Sequence, residues 1–146
     1  MNPTDPAAVA PLFVATLAVR WRDLDAFDHV NNSTYLTYLE EARLQWLQQA
    51  RDWINSESAP VLAASELHYR RPIPWPATLH VELYCSRLGN SSITLAHRIV
   101  DATDASCLYC EGHVVMVWTN PRSGKAIALP ASVRAFATGA SQPISP

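Results

Sequence analysis

Asn31-Asn32-Ser33-Thr34-Tyr35-Leu36-Thr37-Tyr38-Leu39-Glu40-Glu41-Ala42-Arg43-Leu44-Gln45-Trp46-Leu47 is the stretch in which the hydrophobic period of this chain becomes helical. Tyr35, Tyr38, Leu39, Ala42 and Trp46 fall on one face, and Leu36 and Leu47 widen the apolar stripe. No Gly or Pro interrupts the chain from Asn31 to Ala59, so the spacing predicts one long helix. Its cap is expected at Asn31, Asn32 or Ser33, whose short side chains can accept a bond from the free N–H groups of the first turn. Polar residues are confined to Glu40, Glu41, Gln45, Gln48, Gln49 and the flanks. So broad a stripe suggests a helix wrapped by a sheet.

On either side the period is two. Phe13, Ala15, Leu17, Val19 and Trp21 alternate as in a half-buried strand, and Val61, Ala63, Ser65, Leu67 and Tyr69 do so until Pro72, Pro74 and Pro76 stop the run. Leu79, Val81, Leu83 and Cys85, a Gly89-Asn90 turn, and Ile93, Leu95, His97 and Ile99 make a hairpin. Cys107 to Trp118 reads as a last long strand in which Gly112 permits a bulge or a close contact. Pro130 to Ala137 could add a short terminal helix. One strand, one long helix and about four antiparallel strands give an α+β domain spanning residues 1–146, with 1–10 and 139–146 expected as flexible ends. The outer sheet face and the edge strands need cover, which a second copy paired edge to edge would supply.

Composition narrows the partners. Eleven Lys and Arg against 13 Asp and Glu, a formal charge of -2, with no basic block, argue against nucleic acid. No apolar run approaches the ~20 residues of a membrane-spanning helix, and the early apolar stretch lacks the basic flank of a signal peptide. Three cysteines, Cys85, Cys107 and Cys110, cannot all pair, which fits a reducing compartment and a cytoplasmic location. Cys107 and Cys110 have C-x-x-C spacing, but no second ligand pair completes a metal site, so they read as apolar strand residues.

Between the first strand and the helix, Arg20 to Asn32 is dense in carboxylates and polar groups and runs into a helix N-terminus. Unpaired backbone N–H groups at such a terminus can stabilise a developing oxyanion, and a nearby carboxylate could attack a carbonyl or deprotonate water. The arrangement suits acyl transfer. Spacing alone favours the ordinary reading, in which Asp23, Asp25 and Asp28 are loop and capping residues and His29 is a turn residue.

The stretch Arg22–Arg43, RDLDAFDHVNNSTYLTYLEEAR, resembles the signature of the hot-dog-fold acyl-CoA thioesterases of the hydroxybenzoyl-CoA thioesterase-like family. A weaker likeness continues to about Ala137, through Tyr69-Arg70-Arg71-Pro72 and Leu88-Gly89-Asn90-Ser91-Ser92. The resemblance implies a helix wrapped by an antiparallel sheet, in homodimers or homotetramers. It implies hydrolysis of an acyl-CoA thioester, or an acyl-carrier-protein thioester, with no cofactor beyond the substrate's coenzyme A and no metal. It places the catalytic carboxylate, nucleophile or general base, on Asp25, and the carbonyl-polarising backbone N–H seven residues later, on Asn32.

Asp23 is then a structural acceptor, and His29 and Asn31 shape the loop or position water. Tyr35 could reach the acyl chain, although Tyr35, Tyr38 and Leu39 are first of all core residues. Arg70 and Arg71, with Arg87, Arg122 and Lys125, are candidates for the coenzyme A phosphates, and Ser91 and Ser92 for the pantetheine arm. Glu41 and Arg43 are expected as surface or interface ion-pair formers. Asp28 stands where the family commonly has Gly, so a left-handed turn is disfavoured there. Two other classes remain: an acyl-CoA-binding module without catalysis, and a hot-dog hydratase or dehydratase.

Overall fold

The computed structural model describes residues 9–139. Five strands, β1 (Phe13–Ala18), β2 (Ala59–Tyr69), β3 (Thr78–Leu88), β4 (Ser92–Asp101) and β5 (Leu108–Thr119), accompany two helices, α1 (Thr34–Leu47) and α2 (Ala131–Ala137). They form one antiparallel sheet in the order β1-β3-β4-β5-β2. This is the α+β class expected from the period change, in the hot-dog arrangement that the resemblance implied.

Alternation decides which face meets the helix. Leu79, Val81 and Leu83 of β3, Ile93, Leu95 and Ile99 of β4, and Val114, Met116 and Trp118 of β5 are buried. They share one core with Tyr35, Tyr38, Leu39, Ala42, Trp46 and Leu47 of α1. Burying a large aliphatic side chain contributes about 1.5–3 kcal/mol, so this interlayer contact holds the sheet on the helix. The Trp118 indole N–H donates to the Trp53 carbonyl at 2.9 Å, and Arg134 of α2 donates to the Gly89 carbonyl at 2.7 Å, fixing the segments after α1 and β5.

Two boundaries and one burial differ from expectation. β1 stops at Ala18, and Trp21 opens a 3-10 turn (Trp21–Asp23) with its side chain exposed, because the chain must leave the sheet to reach α1. α1 ends at Leu47 although no Gly or Pro follows, since Ala50 is the last buried residue of the apolar run and Gln48, Gln49 and Arg51 are exposed. Leu36, placed on the buried stripe, is exposed.

Arg43 is no surface residue: it is 7% exposed, and no carboxylate pairs with it among the described residues. It lies on the stripe one residue from Ala42, so the helix turns it toward the sheet. The three cysteines are free, Cys110 being buried. Residues 1–8 and 140–146 of the expected flexible ends lie outside the described residues.

Gly112 makes the close contact its position allowed. It pairs with Leu67 across β5 and β2, and a Cβ there would overlap the Glu66 carbonyl oxygen. Only a residue without a side chain lets β2 lie this close. β2 is an edge strand of the sheet, with Val61, Leu62 and Tyr69 exposed and the last of these delivered to the N-terminal end of α1.

Candidate active site

The loop between β1 and α1 is a closed turn built by its own polar groups. Leu24 bridges Val30, the Asp25 N–H donates to the His29 carbonyl at 2.8 Å, and the Asp28 N–H donates to the Asp25 carbonyl at 3.2 Å. The Phe27 N–H donates to Asp25 Oδ1 at 2.8 Å, an Asx turn that fixes the carboxylate's orientation. Asp25 Oδ2 has no partner among the described residues, so one oxygen is held and the other is free to react.

Closing this turn takes a left-handed residue, and Asp28 supplies it at φ 63°. The expectation that a non-glycine residue would disfavour this conformation is overturned. Asp tolerates the left-handed region better than most residues, and three hydrogen bonds around it over-determine the turn.

Asp23 braces the loop. Its Oδ2 accepts from the Tyr38 hydroxyl at 2.6 Å and from the Arg20 N–H at 2.9 Å. Burial, then the bond to Asp23, drive the Tyr38 phenol well above its usual range.

The helix start is organised by Asn31. Its Oδ1 accepts from the Ser33 N–H at 2.9 Å and the Ser33 hydroxyl at 2.8 Å, while its carbonyl accepts the Thr34 N–H at 2.9 Å. Ser33 occupies the cap position without a capping bond from its own side chain. Between these anchored groups the Asn32 N–H has no partner among the described residues.

Asp25, Asn32, His29, Tyr35, Arg70 and Arg71 line one cleft of about 460 Å³, with Phe27, Val30, Tyr69 and Pro72. Asp23 and Asn31 do not line it. Ser91 and Ser92 are elsewhere, at the β3–β4 turn, the opposite end of these long strands from the cleft.

Tyr35 is buried, with its hydroxyl on the Arg71 carbonyl at 3.4 Å, and burial pushes its phenol up to about 12. Arg70 pairs with Glu111 at 3.3 Å, and Arg71 lies 3.8 Å from Cys107 Sγ. Both arginines are exposed. Phe27 and Tyr69 escaped the sequence reading as cleft residues. Tyr69 carries two sequence signals, the end of the alternating run before Pro72 and the Tyr69-Arg70-Arg71-Pro72 likeness, and neither assigns it to the cleft.

A fixed carboxylate oxygen, an unpartnered amide near a helix start and two cations around one cleft are the parts that acyl transfer needs. Residues 19–136 match the model of the thioesterase-like superfamily. The chain belongs to the thioesterase-like superfamily. Its reaction class is thioester hydrolysis.

Among members of the superfamily, the long-chain acyl-CoA thioesterase FadM of Escherichia coli (strain K12) is 27% identical over 121 residues, 81% of this chain and 91% of FadM. The PA2801 protein of Pseudomonas aeruginosa is 40% identical, with a TM-score of 0.81 over 86% of this chain and 97% of its own. A thioesterase of Thermus thermophilus solved with coenzyme A and Zn is 30% identical, with a TM-score of 0.74 over 88% and 98% of the two chains.

Proposed function

We propose that this protein hydrolyses an acyl-CoA thioester to the free acid and coenzyme A, with Asp25 as the reacting carboxylate and the Asn32 N–H as the carbonyl-polarising donor. The observation that carries the reading is the presence of the free Asp25 oxygen and the unpartnered Asn32 amide in one cleft. A thioester carbonyl oxygen directed at Asn32 gains stabilisation as negative charge builds on it. Its carbon then faces Asp25.

Two routes start from this carboxylate. In one, Asp25 attacks the acyl carbon, coenzyme A leaves as the thiolate, and water hydrolyses the resulting anhydride to release the acid and restore Asp25. In the other, Asp25 takes a proton from water, the hydroxide attacks, and the proton passes to the departing sulfur. Trapping of the acyl-enzyme with hydroxylamine, or ¹⁸O entering the Asp25 carboxylate during single-turnover hydrolysis in ¹⁸O-water, identifies the anhydride route.

Arg70 and Arg71 supply the positive charge that the coenzyme A phosphates require at the cleft mouth. The relatives named for acyl-CoA and solved with coenzyme A support this carrier over a protein-bound one. The route uses a carboxylate, an amide and water, with no cofactor beyond the substrate.

The exposed edge of β2 and the apolar side chains of Leu36, Leu44, Ile54, Val61 and Leu62 beside it support a homodimer or homotetramer, read by light scattering. No described helix is long and apolar enough to cross a membrane. The three free cysteines support a cytoplasmic setting.

Thiol release screened across aromatic and straight-chain coenzyme A esters tests the function and ranks acyl groups. Asp25→Asn is expected to lower turnover by at least ~100-fold with folding retained. Unchanged turnover removes Asp25 from the mechanism.

A further inference from the structure

We infer that Tyr69 is a positioning residue for the oxyanion-binding amide. Its hydroxyl donates to the Asn32 carbonyl oxygen at 3.2 Å, reaching from the end of β2 across 37 positions of sequence. This inference rests on the proposed role of the Asn32 N–H.

The peptide groups on either side of the Asn32 Cα are held differently. The preceding one is anchored by the Asn31 carbonyl, which accepts the Thr34 N–H at 2.9 Å. The following one is held on its nitrogen side by Asn31 Oδ1 and on its oxygen side by Tyr69 alone. Among the described residues no other donor reaches that carbonyl. Without it, the Asn32 oxygen would be an unpaired dipole end close to where negative charge must develop, and the backbone at Asn32 would be free to turn it.

The clamp is itself supported. The Tyr69 ring packs edge-on against Tyr35, with centroids 4.9 Å apart and planes at 79°. Tyr35 is buried and tied to the Arg71 carbonyl, so a core residue sets the direction of a half-exposed one. Burial and the nearby Cys110 hold the Tyr69 hydroxyl above its usual pKa, so it remains a donor at neutral pH.

Tyr69→Phe tests this, because it removes the hydroxyl and keeps the ring that packs on Tyr35. With the best coenzyme A ester from the screen, kcat is expected to fall about 10-fold and KM to stay within about twofold, since a misaimed donor weakens the transition state more than the bound ester. In ligand-free protein, the Asn32 amide resonance is expected to shift and broaden in the ¹H–¹⁵N spectrum, with the melting temperature nearly unchanged.

Unchanged kcat, a change in KM alone, or a sharp unshifted Asn32 resonance would each overturn the inference. If wild-type protein releases thiol from none of the esters, the hydrolytic reading has failed, and with it the catalytic meaning of the clamp. The Asn32 resonance still reports separately whether the hydroxyl fixes this segment.

Discussion

The Tyr38 hydroxyl and Asp23 Oδ2, 2.6 Å apart, join the buried face of α1 to the loop that carries Asp25. They lie 15 positions apart in sequence, and between them lie the turn around Asp25 and the helix start. Because Asp23 also accepts the Arg20 N–H, and its own carbonyl accepts the Asn31 N–H, the loop is fastened at both ends around one residue.

Removing this brace should cost stability and loop order together. Tyr38→Phe strips one donor from a carboxylate in a partly buried site, and a hydrogen bond to a charged group is worth about 1.5–3 kcal/mol. Denaturant unfolding should show a loss in that range, with a drop in turnover smaller than that of Asp25→Asn. If stability is unchanged, Asp23 is solvated in solution rather than held by Tyr38.

His97 sets an acid limit on the fold. It is 2% exposed, its Nε2 has no partner among the described residues, and burial, then the Arg43 and His113 charges, lower its pKa to about 4. In the unfolded chain it titrates near 6.5. Its contribution to stability is therefore complete above pH 6.5 and is lost as pH falls toward 4, by about 3 kcal/mol at the rate of 1.36 kcal/mol per unit. His97→Leu should flatten unfolding free energy across this window. Arg43→Met should raise the His97 pKa by removing a like charge, read by imidazole NMR titration.

The legibility of this chain follows from which residues carry periodic signals. Tyr35, Tyr38, Leu39, Ala42 and Trp46 announced α1 because burial demands helical spacing, and the alternating β3 and β4 announced their hairpin for the same reason. Asp25, His29 and Asn32 were legible only through a resemblance, since acids and amides in a strand-to-helix loop are what ordinary turn chemistry also uses. The sheet order was hidden, because β2 leaves its sequence neighbour β3 to pair with β5 at an edge. That placement brings Tyr69 to Asn32. The burial of Arg43 was hidden as well, because a charged residue beside Ala42 on a broad stripe fits either face until the sheet is in place.

Asp28 tests how firmly the loop depends on its left-handed residue. At φ 63° a β-branched side chain is strained, whereas Gly is at ease and Asp intermediate. Asp28→Gly is expected to keep stability within about 1 kcal/mol and retain turnover. Asp28→Val should lose about 1–2 kcal/mol and turnover with it, because the Asp25–His29 turn must open to accommodate the side chain. Equal behaviour of the two variants by unfolding and thiol release would mean that the loop does not hold this conformation.

Gly112 offers the harshest test of the strand arrangement. The Glu66 carbonyl oxygen sits where its missing Cβ would be, and this obstacle is backbone rather than a side chain that can swing away. Gly112→Ala must therefore push β2 off β5 or bend β5 away from it. Either movement disturbs the Leu67–Gly112 and Glu66–His113 pairings and shifts Tyr69, two residues beyond Leu67, away from Asn32. The expected result is destabilisation of at least about 3 kcal/mol, together with a Tyr69→Phe-like loss of kcat in whatever fraction stays folded. Thermal unfolding and thiol release on the same preparation measure both. A variant that melts like the wild type would show that β2 does not run this close to β5.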